Sequence, residues 1–425
     1  MTRNLPLSKH DKVPGPWLFW GAVLVTSAAF RLWALYLLDG RAPDGDAPNY
    51  LAMAHNMLSG RGIVLDDANN VANMRATYPP LYPMLLASFG LLLPLSFATV
   101  TAVNSAIDLA CAWAMTRLGA AAGDSRAGAA AAAIYLLWPT NMGMAPLARK
   151  EGLVALFVVA LLLVLVRSIE EPRRKDSVRL GAIYGVLTGL LALTQPGLLF
   201  LPALFALVAL PKFRSRREWL TMMSVGAACA ALTLLPWWIR NWLLFHRFVP
   251  LTAASGYSLW IGATPIGDGT WIQPPPKFLA GDEFAMAAGM GREAQRIIAS
   301  DTSGYVLHCL EKFGRAMASE NRGATMIHWA EPRAHYWIAR GWVAIATTAH
   351  FIALQTAIIC AVLRRREMLS KFLFAAFAQI LLFAIWFEFD QRHRYFLTPL
   401  LLLVAASGVR HGLLTRSGAS ILSAR

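Results

Sequence analysis

Apolar runs long enough to cross a lipid bilayer recur along this chain, and they constrain its fold more than any other feature. A helix needs roughly 20 residues to traverse a hydrocarbon layer of about 30 Å, because only hydrogen bonds within the helix satisfy the backbone there. Ten runs near that length occur, at 17–38, 98–118, 128–144, 153–166, 180–193, 197–210, 220–238, 338–363, 372–387 and 396–409. The fifth and sixth are separated by Thr194-Gln195-Pro196-Gly197, where proline lacks an amide donor and clashes with the preceding turn. The expected fold is an all-α polytopic membrane protein of about ten transmembrane helices. Hydrophobic residues make up 57% and charged residues 15% of the chain, against roughly 25% charged in soluble proteins. Soluble enzymes, disordered chains, collagen-like chains and coiled coils are thereby excluded.

The 39 basic and 24 acidic residues leave a net charge of +15, but the basic residues gather in short loops between apolar runs. That pattern implies no nucleic-acid partner; it orients the chain in a bilayer, since such loops stay in the cytoplasm. Arg173-Arg174-Lys175, Arg214 with Arg216, and Arg364-Arg365-Arg366 fix the cytoplasmic side, and with ten spans both termini lie there. Counting the apolar segment 78–95 as a crossing would turn the Arg173 loop outward, so it reads as a half-buried element on the outer face. Three regions follow: a transmembrane core over 1–238 containing a first outer loop at 39–97, an outer segment over 239–337, and C-terminal helices over 338–425. The N-terminus has too long an apolar run, starting too late, for a cleaved signal peptide. The four cysteines offer neither a disulfide framework nor a metal-binding pair.

The first outer loop carries the chemistry. Asp44-Gly45-Asp46 precedes a stretch with Tyr50, Leu51, Ala54, Met57 and Leu58 on one helical face, which predicts a short amphipathic helix lying on the membrane. Asp46 stands at its expected N-cap, with Pro48 in the first turn. Helix capping alone would account for an isolated aspartate. A second carboxylate two residues away, beside a membrane span and ahead of Tyr78-Pro79-Pro80-Leu81-Tyr82-Pro83, adds a chemical role: such a pair can deprotonate an acceptor or hold a divalent cation.

Asp44-Gly45-Asp46 with Tyr50, then 55–62, then Tyr78-Pro79-Pro80-Leu81-Tyr82-Pro83 resembles the first loop of the GT-C membrane glycosyltransferases, in particular the family 39 group that includes protein O-mannosyltransferases and the aminoarabinose transferase of lipid A. Lys150-Glu151-Gly152, Leu190 to Gly197, Pro236-Trp237-Trp238-Ile239-Arg240-Asn241 and Arg394-Tyr395-Phe396-Leu397-Thr398-Pro399 resemble later family segments in the same order. The resemblance implies an inverting transfer of a sugar from a polyprenyl-phosphate donor to a lipid, polysaccharide or protein acceptor, at the outer face of the inner or plasma membrane. It implies Asp46 as base, with Asp44 beside it and Glu151 as a second acidic position, and it allows a divalent metal ion shared by Asp46 and Glu151.

For the donor phosphate the candidates are Arg75, Arg149, Lys150, Arg240, Arg392, Arg394 and the adjoining Tyr395, all near the outer boundary; the planar fork of arginine bonds two phosphate oxygens at once. Tyr50, Tyr82 and Trp260 are candidate contacts for the sugar or acceptor. One departure stands out: some family members carry lysine before Pro-Pro-Leu, where this chain has Tyr78, so that contact is lost or falls to Arg75. The competing reading is a transporter or flippase for a lipid-linked glycan. Transporters place polar groups at mid-membrane between repeats, whereas this sequence shows no repeat and gathers its acids and arginines at one boundary.

Overall fold

The computed structural model describes residues 17–38, 45–66, 73–170, 174–267, 269–279, 281–321 and 336–422. Among these, the secondary structure is helical throughout apart from an isolated antiparallel bridge between Leu65 and Met74. Six helices are long and apolar enough to cross a membrane: α1 (Trp17–Leu38), α4 (Phe97–Ala121), α7 (Glu151–Glu170), α8 (Arg174–Thr194, apolar from Asp176), α10 (Arg216–Phe245) and α14 (Tyr336–Leu363). The amphipathic α2 (Asp46–Leu58) follows α1, and α3 (Leu81–Gly90) is a ten-residue helix, too short to span, in the segment expected to be half-buried.

Several expected runs are interrupted. The 128–144 run divides into α5 (Ser125–Leu136) and α6 (Pro139–Met144), because Pro139 restricts Trp138 to an extended conformation. Pro196 opens a 3-10 turn before α9 (Leu201–Ala209). The 372–387 run is α15 (Met368–Gln379) continued by a π-helical turn over Ile380–Ala384. A 3-10 segment, Gln391–Leu397, then leads into α16 (Thr398–Leu422). Between α10 and α14 lie α11 (Ser255–Ala263), α12 (Glu283–Ser300) and α13 (Thr302–Ala318).

Close backbone approach holds the membrane helices together where no hydrophobic force acts between them. Gly181, Gly185 and Gly189 line one face of α8 against Met222, Gly226 and Thr233 of α10; a Cβ on Gly185 would fall 2.1 Å from the Gly226 carbonyl oxygen. Gly119 of α4 meets Gly128 of α5 in the same way. A buried ion pair crosses the bundle: Arg31 Nη2 of α1 donates to Asp108 of α4 at 2.8 Å, and Tyr135 of α5 donates to the other Asp108 oxygen at 3.1 Å. α7 is the most enclosed of the long helices, and its first residue enters the site described next.

Candidate active site

The site is built around the start of α2. Gly45 adopts φ +83°, a left-handed conformation that suits glycine, and a Cβ there would lie 3.4 Å from the Arg149 guanidinium. Asp46 is therefore the first helical residue and not the N-cap expected from the sequence; no side chain caps this helix. Its carboxylate instead accepts a hydrogen bond from Arg392, whose other terminal nitrogen donates to Glu388 and whose Nε lies 3.4 Å from Asp390. Asp390 also caps the 3-10 segment reciprocally with His393. The Arg392 side chain is 12% exposed and that of Asp46 26%, so the pair is largely withdrawn from water and open on the carboxylate side.

Burial pushes the Asp46 carboxyl up, but the cations Arg392, Arg149 and Lys150 outweigh it and hold the group below its ordinary range. Lys150 goes the other way: burial pulls its ammonium below the usual lysine value although Asp46 and Glu151 oppose this. Its Nζ stands 5.9 Å from the centre of the Tyr50 ring. Tyr50 meets Tyr78 and Tyr82 edge to face at 5.9 and 5.6 Å. Burial, reinforced by the Asp46 charge, raises the Tyr50 and Tyr78 phenols. Tyr50 and Tyr82 are fully buried. They fasten α2 to α3 and, contrary to expectation, present no surface to a sugar.

Arg149, Lys150 and Glu151 enter the site just before and at the first turn of α7. Arg149 and Glu151 lie 4.0 Å apart. The second Glu151 oxygen is buried without a protein partner beside a cavity of about 30 Å³ that Asn104, Asp108, Asn141, Arg149 and Tyr395 also line. Such a space suits an ordered water.

A second cluster surrounds residues 75–77. Glu283 of α12 accepts from the Arg75 amide at 3.0 Å, the Ala76 amide at 3.0 Å and the Thr77 hydroxyl at 2.6 Å. Arg240 of α10 donates to the carbonyls of Arg75 at 2.9 Å and Ile63 at 3.0 Å, and the Ala253 amide donates to the Ala76 carbonyl at 2.8 Å. Arg75 is exposed and Arg240 half-buried. Arg240 also lines an open apolar groove of about 730 Å³ along α10, with Leu232, Leu235, Pro236, Ile239, Leu243 and Leu244. The chain from Arg75 to Tyr78 thus connects this groove to the Asp46 cluster.

Other expected site residues lie elsewhere. Arg394 is 1% exposed and donates to Glu320 at 2.7 Å and to the Ser319 carbonyl at 2.7 Å, which makes it an internal strut with its charge already matched. Tyr395 is buried and donates to Asn141 at 2.7 Å. Trp260 is buried against Phe278. Asp44 lies outside the described residues. Among the described residues no three His, Cys, Asp or Glu side chains are grouped to hold a metal ion, and the expected pair Asp46 and Glu151 is set among guanidinium and ammonium groups.

Glu388, Asp390 and Glu283 did not emerge from the sequence. The alternation Glu388-Phe389-Asp390 immediately before Arg392-His393-Arg394 was the available signal, because acids beside a basic cluster at a membrane boundary are natural partners for it.

No family model and no curated protein matches this chain. Solved structures do. The oligosaccharyltransferase of Archaeoglobus fulgidus in its apo form superimposes with a TM-score of 0.56 at 15% identity, covering 96% of this chain and 53% of that one. The chain has the GT-C fold. The same GT-C oligosaccharyltransferase in complex with Zn and sulfate gives a TM-score of 0.55 at 16% identity, covering 95% of this chain and 51% of that one. Its complex with an inhibitory peptide and a dolichol-phosphate gives 0.53 at 13%, covering 96% and 53%. This chain therefore spans about half the length of the protein it matches.

Proposed function

We propose that the protein is an inverting glycosyltransferase that moves a sugar from a polyprenyl-phosphate carrier to an acceptor hydroxyl at the outer face of the membrane. The observation that carries this reading is the convergence of Asp46, Glu388 and Arg392 with Arg149, Lys150 and Glu151, three chain-distant segments, at the start of α2. The dolichol-phosphate bound by the archaeal oligosaccharyltransferase of the same fold supports a lipid carrier.

The prenyl tail lies along the α10 groove, whose apolar walls match it, and its phosphate meets Arg240, which lines the groove, and Arg75 beside it. The sugar then extends past Tyr78 towards Asp46. Asp46 takes the acceptor proton as the acceptor oxygen attacks the anomeric carbon from the face opposite the leaving phosphate, and arginine charge offsets the negative charge that grows on that phosphate. Arg392, Arg149 and Lys150 keep Asp46 ionised and ready to accept the proton. Zn is bound by the archaeal neighbour, but no step here runs through a metal. The acceptor class is a lipid, a surface polysaccharide or a protein.

Asp46→Asn is the test. Asp46 caps nothing, and Arg392 retains Glu388 and Asp390, so the variant should reach normal abundance. Mass spectrometry of envelope lipids and glycans from cells with no protein, wild type or variant should show a wild-type product that falls by about 100-fold or more in Asp46→Asn. Undiminished product in the variant overturns the base assignment, and the absence of any wild-type product overturns the function.

A further inference from the structure

Lys312 is a lysine that the proposed chemistry leaves unused, yet it is 1% exposed. Burying an ammonium is costly unless its donors are satisfied. Here Nζ donates to the Gly262 carbonyl at 2.7 Å and the Phe387 carbonyl at 3.0 Å. The first is an end carbonyl of α11, where a cation also suits the helix dipole. Two neighbouring charges, Arg315 on the same helix and Glu388 on the facing segment, act on it, and the Cys309 thiol lies beside it.

The second carbonyl belongs to the residue directly before Glu388. Three consecutive residues there are tied down through their backbones: Phe387 by Lys312, Glu388 by its amide to the Ser258 carbonyl at 2.8 Å, and Phe389 by its amide to the Gly269 carbonyl at 3.1 Å. Gly269 in turn rests on the Lys312 stem, since a Cβ there would lie 2.2 Å from Lys312 Cδ. Glu388 then holds one arm of Arg392, whose other arm holds Asp46. From this chain of contacts we infer that Lys312 is a positioning residue of the active site, fixing the 387–389 backbone so that Glu388 presents Arg392 to Asp46. This inference rests on the proposed function for its consequence in sugar transfer and on geometry alone for its effect on Arg392.

The experiment uses the full chain in lipid nanodiscs and reads phenylglyoxal modification of Arg392 by peptide mass spectrometry. Wild type protects Arg392 through its three carboxylate partners, Asp46, Glu388 and Asp390. Lys312→Met keeps the stem and removes the donors, and should make Arg392 react several-fold faster. Lys312→Arg, which still offers donors, should restore part of the protection, and Lys277→Met, at an exposed lysine of the same loop, should leave Arg392 as in wild type. If Lys312→Met fails to fold, Lys312→Gln, which keeps a polar end but is too short to hold both carbonyls, supplies a milder loss of the same anchor. Wild-type reactivity of Arg392 in a folded Lys312→Met or Lys312→Gln protein overturns the inference. In cells, envelope product per unit of protein should fall by roughly 100-fold in Lys312→Met, as for a misplaced catalytic group. A wild type that makes no product removes the proposed function, while the labelling still decides the role of Lys312.

Discussion

Arg392 binds the carboxylate of Asp46 across 346 positions of sequence, and the same guanidinium holds Glu388. One cation thus joins the first loop to the last, and the carboxylate it holds stays ionised despite its burial.

That pairing sets a pH dependence. Asp46 has a folded pKa below its ordinary value of 3.8, so its contribution to stability is present above that value and is lost as pH falls through the lower folded one. Arg392→Met leaves burial opposed only by Arg149, Lys150 and His393, and the carboxyl pKa should rise. The acid limb of a transfer-rate profile should move to higher pH in this variant, and an unmoved limb would show that Arg392 does not govern Asp46.

Glu283 is expected to act on donor binding. Glu283→Ala removes the acceptor for two amides and the Thr77 hydroxyl, freeing the segment that carries Arg75 and Tyr78. Titration of the nanodisc-embedded protein with undecaprenyl phosphate should give weaker binding than wild type by roughly tenfold. Glu283→Gln, which keeps an acceptor oxygen, should lose less.

The Arg31–Asp108 pair allows a double-mutant cycle. Removing one partner alone leaves a buried charge and should cost about 3–5 kcal/mol, whereas replacing both by apolar residues of similar volume should cost much less. Thermal unfolding in a fixed detergent would show this as a lower midpoint for Arg31→Met or Asp108→Leu singly and partial recovery in the pair.

Gly185→Leu should force α8 from α10, because even a methyl group would meet the Gly226 backbone. Overpacking of this kind costs roughly 1–3 kcal/mol or more. A cysteine pair placed across the two helices should crosslink less readily once leucine is present, with a lower thermal midpoint.

Much of the fold was legible because membrane helices announce themselves by length and hydrophobicity: the ten apolar runs fall largely in helical segments, and among the described residues six helices are long and apolar enough to span. Their interruptions were harder: Pro139 and Pro196 could be seen, but the π-turn at Ile380–Ala384 depends on packing. Asp46, Arg149, Lys150, Glu151 and Arg392 lie close together in the structure. Arg394 shows the limit of that reasoning. It follows the same charge logic as Arg392, yet it is matched by Glu320, a residue of the long late loop whose partner no periodicity reveals. Glu283 and Lys312 were hidden for the same reason: their meaning lies in backbone groups of other segments, and a sequence does not display which carbonyls lie near each other.

The bond between Asp46 and Arg392 also has a bearing on biosynthesis. The ribosome delivers the aspartate 346 residues before its counterion, so α2 to α15 are synthesised before the two can pair. A chain terminated between them would display the Asp46 carboxylate beside Arg149 but without the partner that joins it to Glu388.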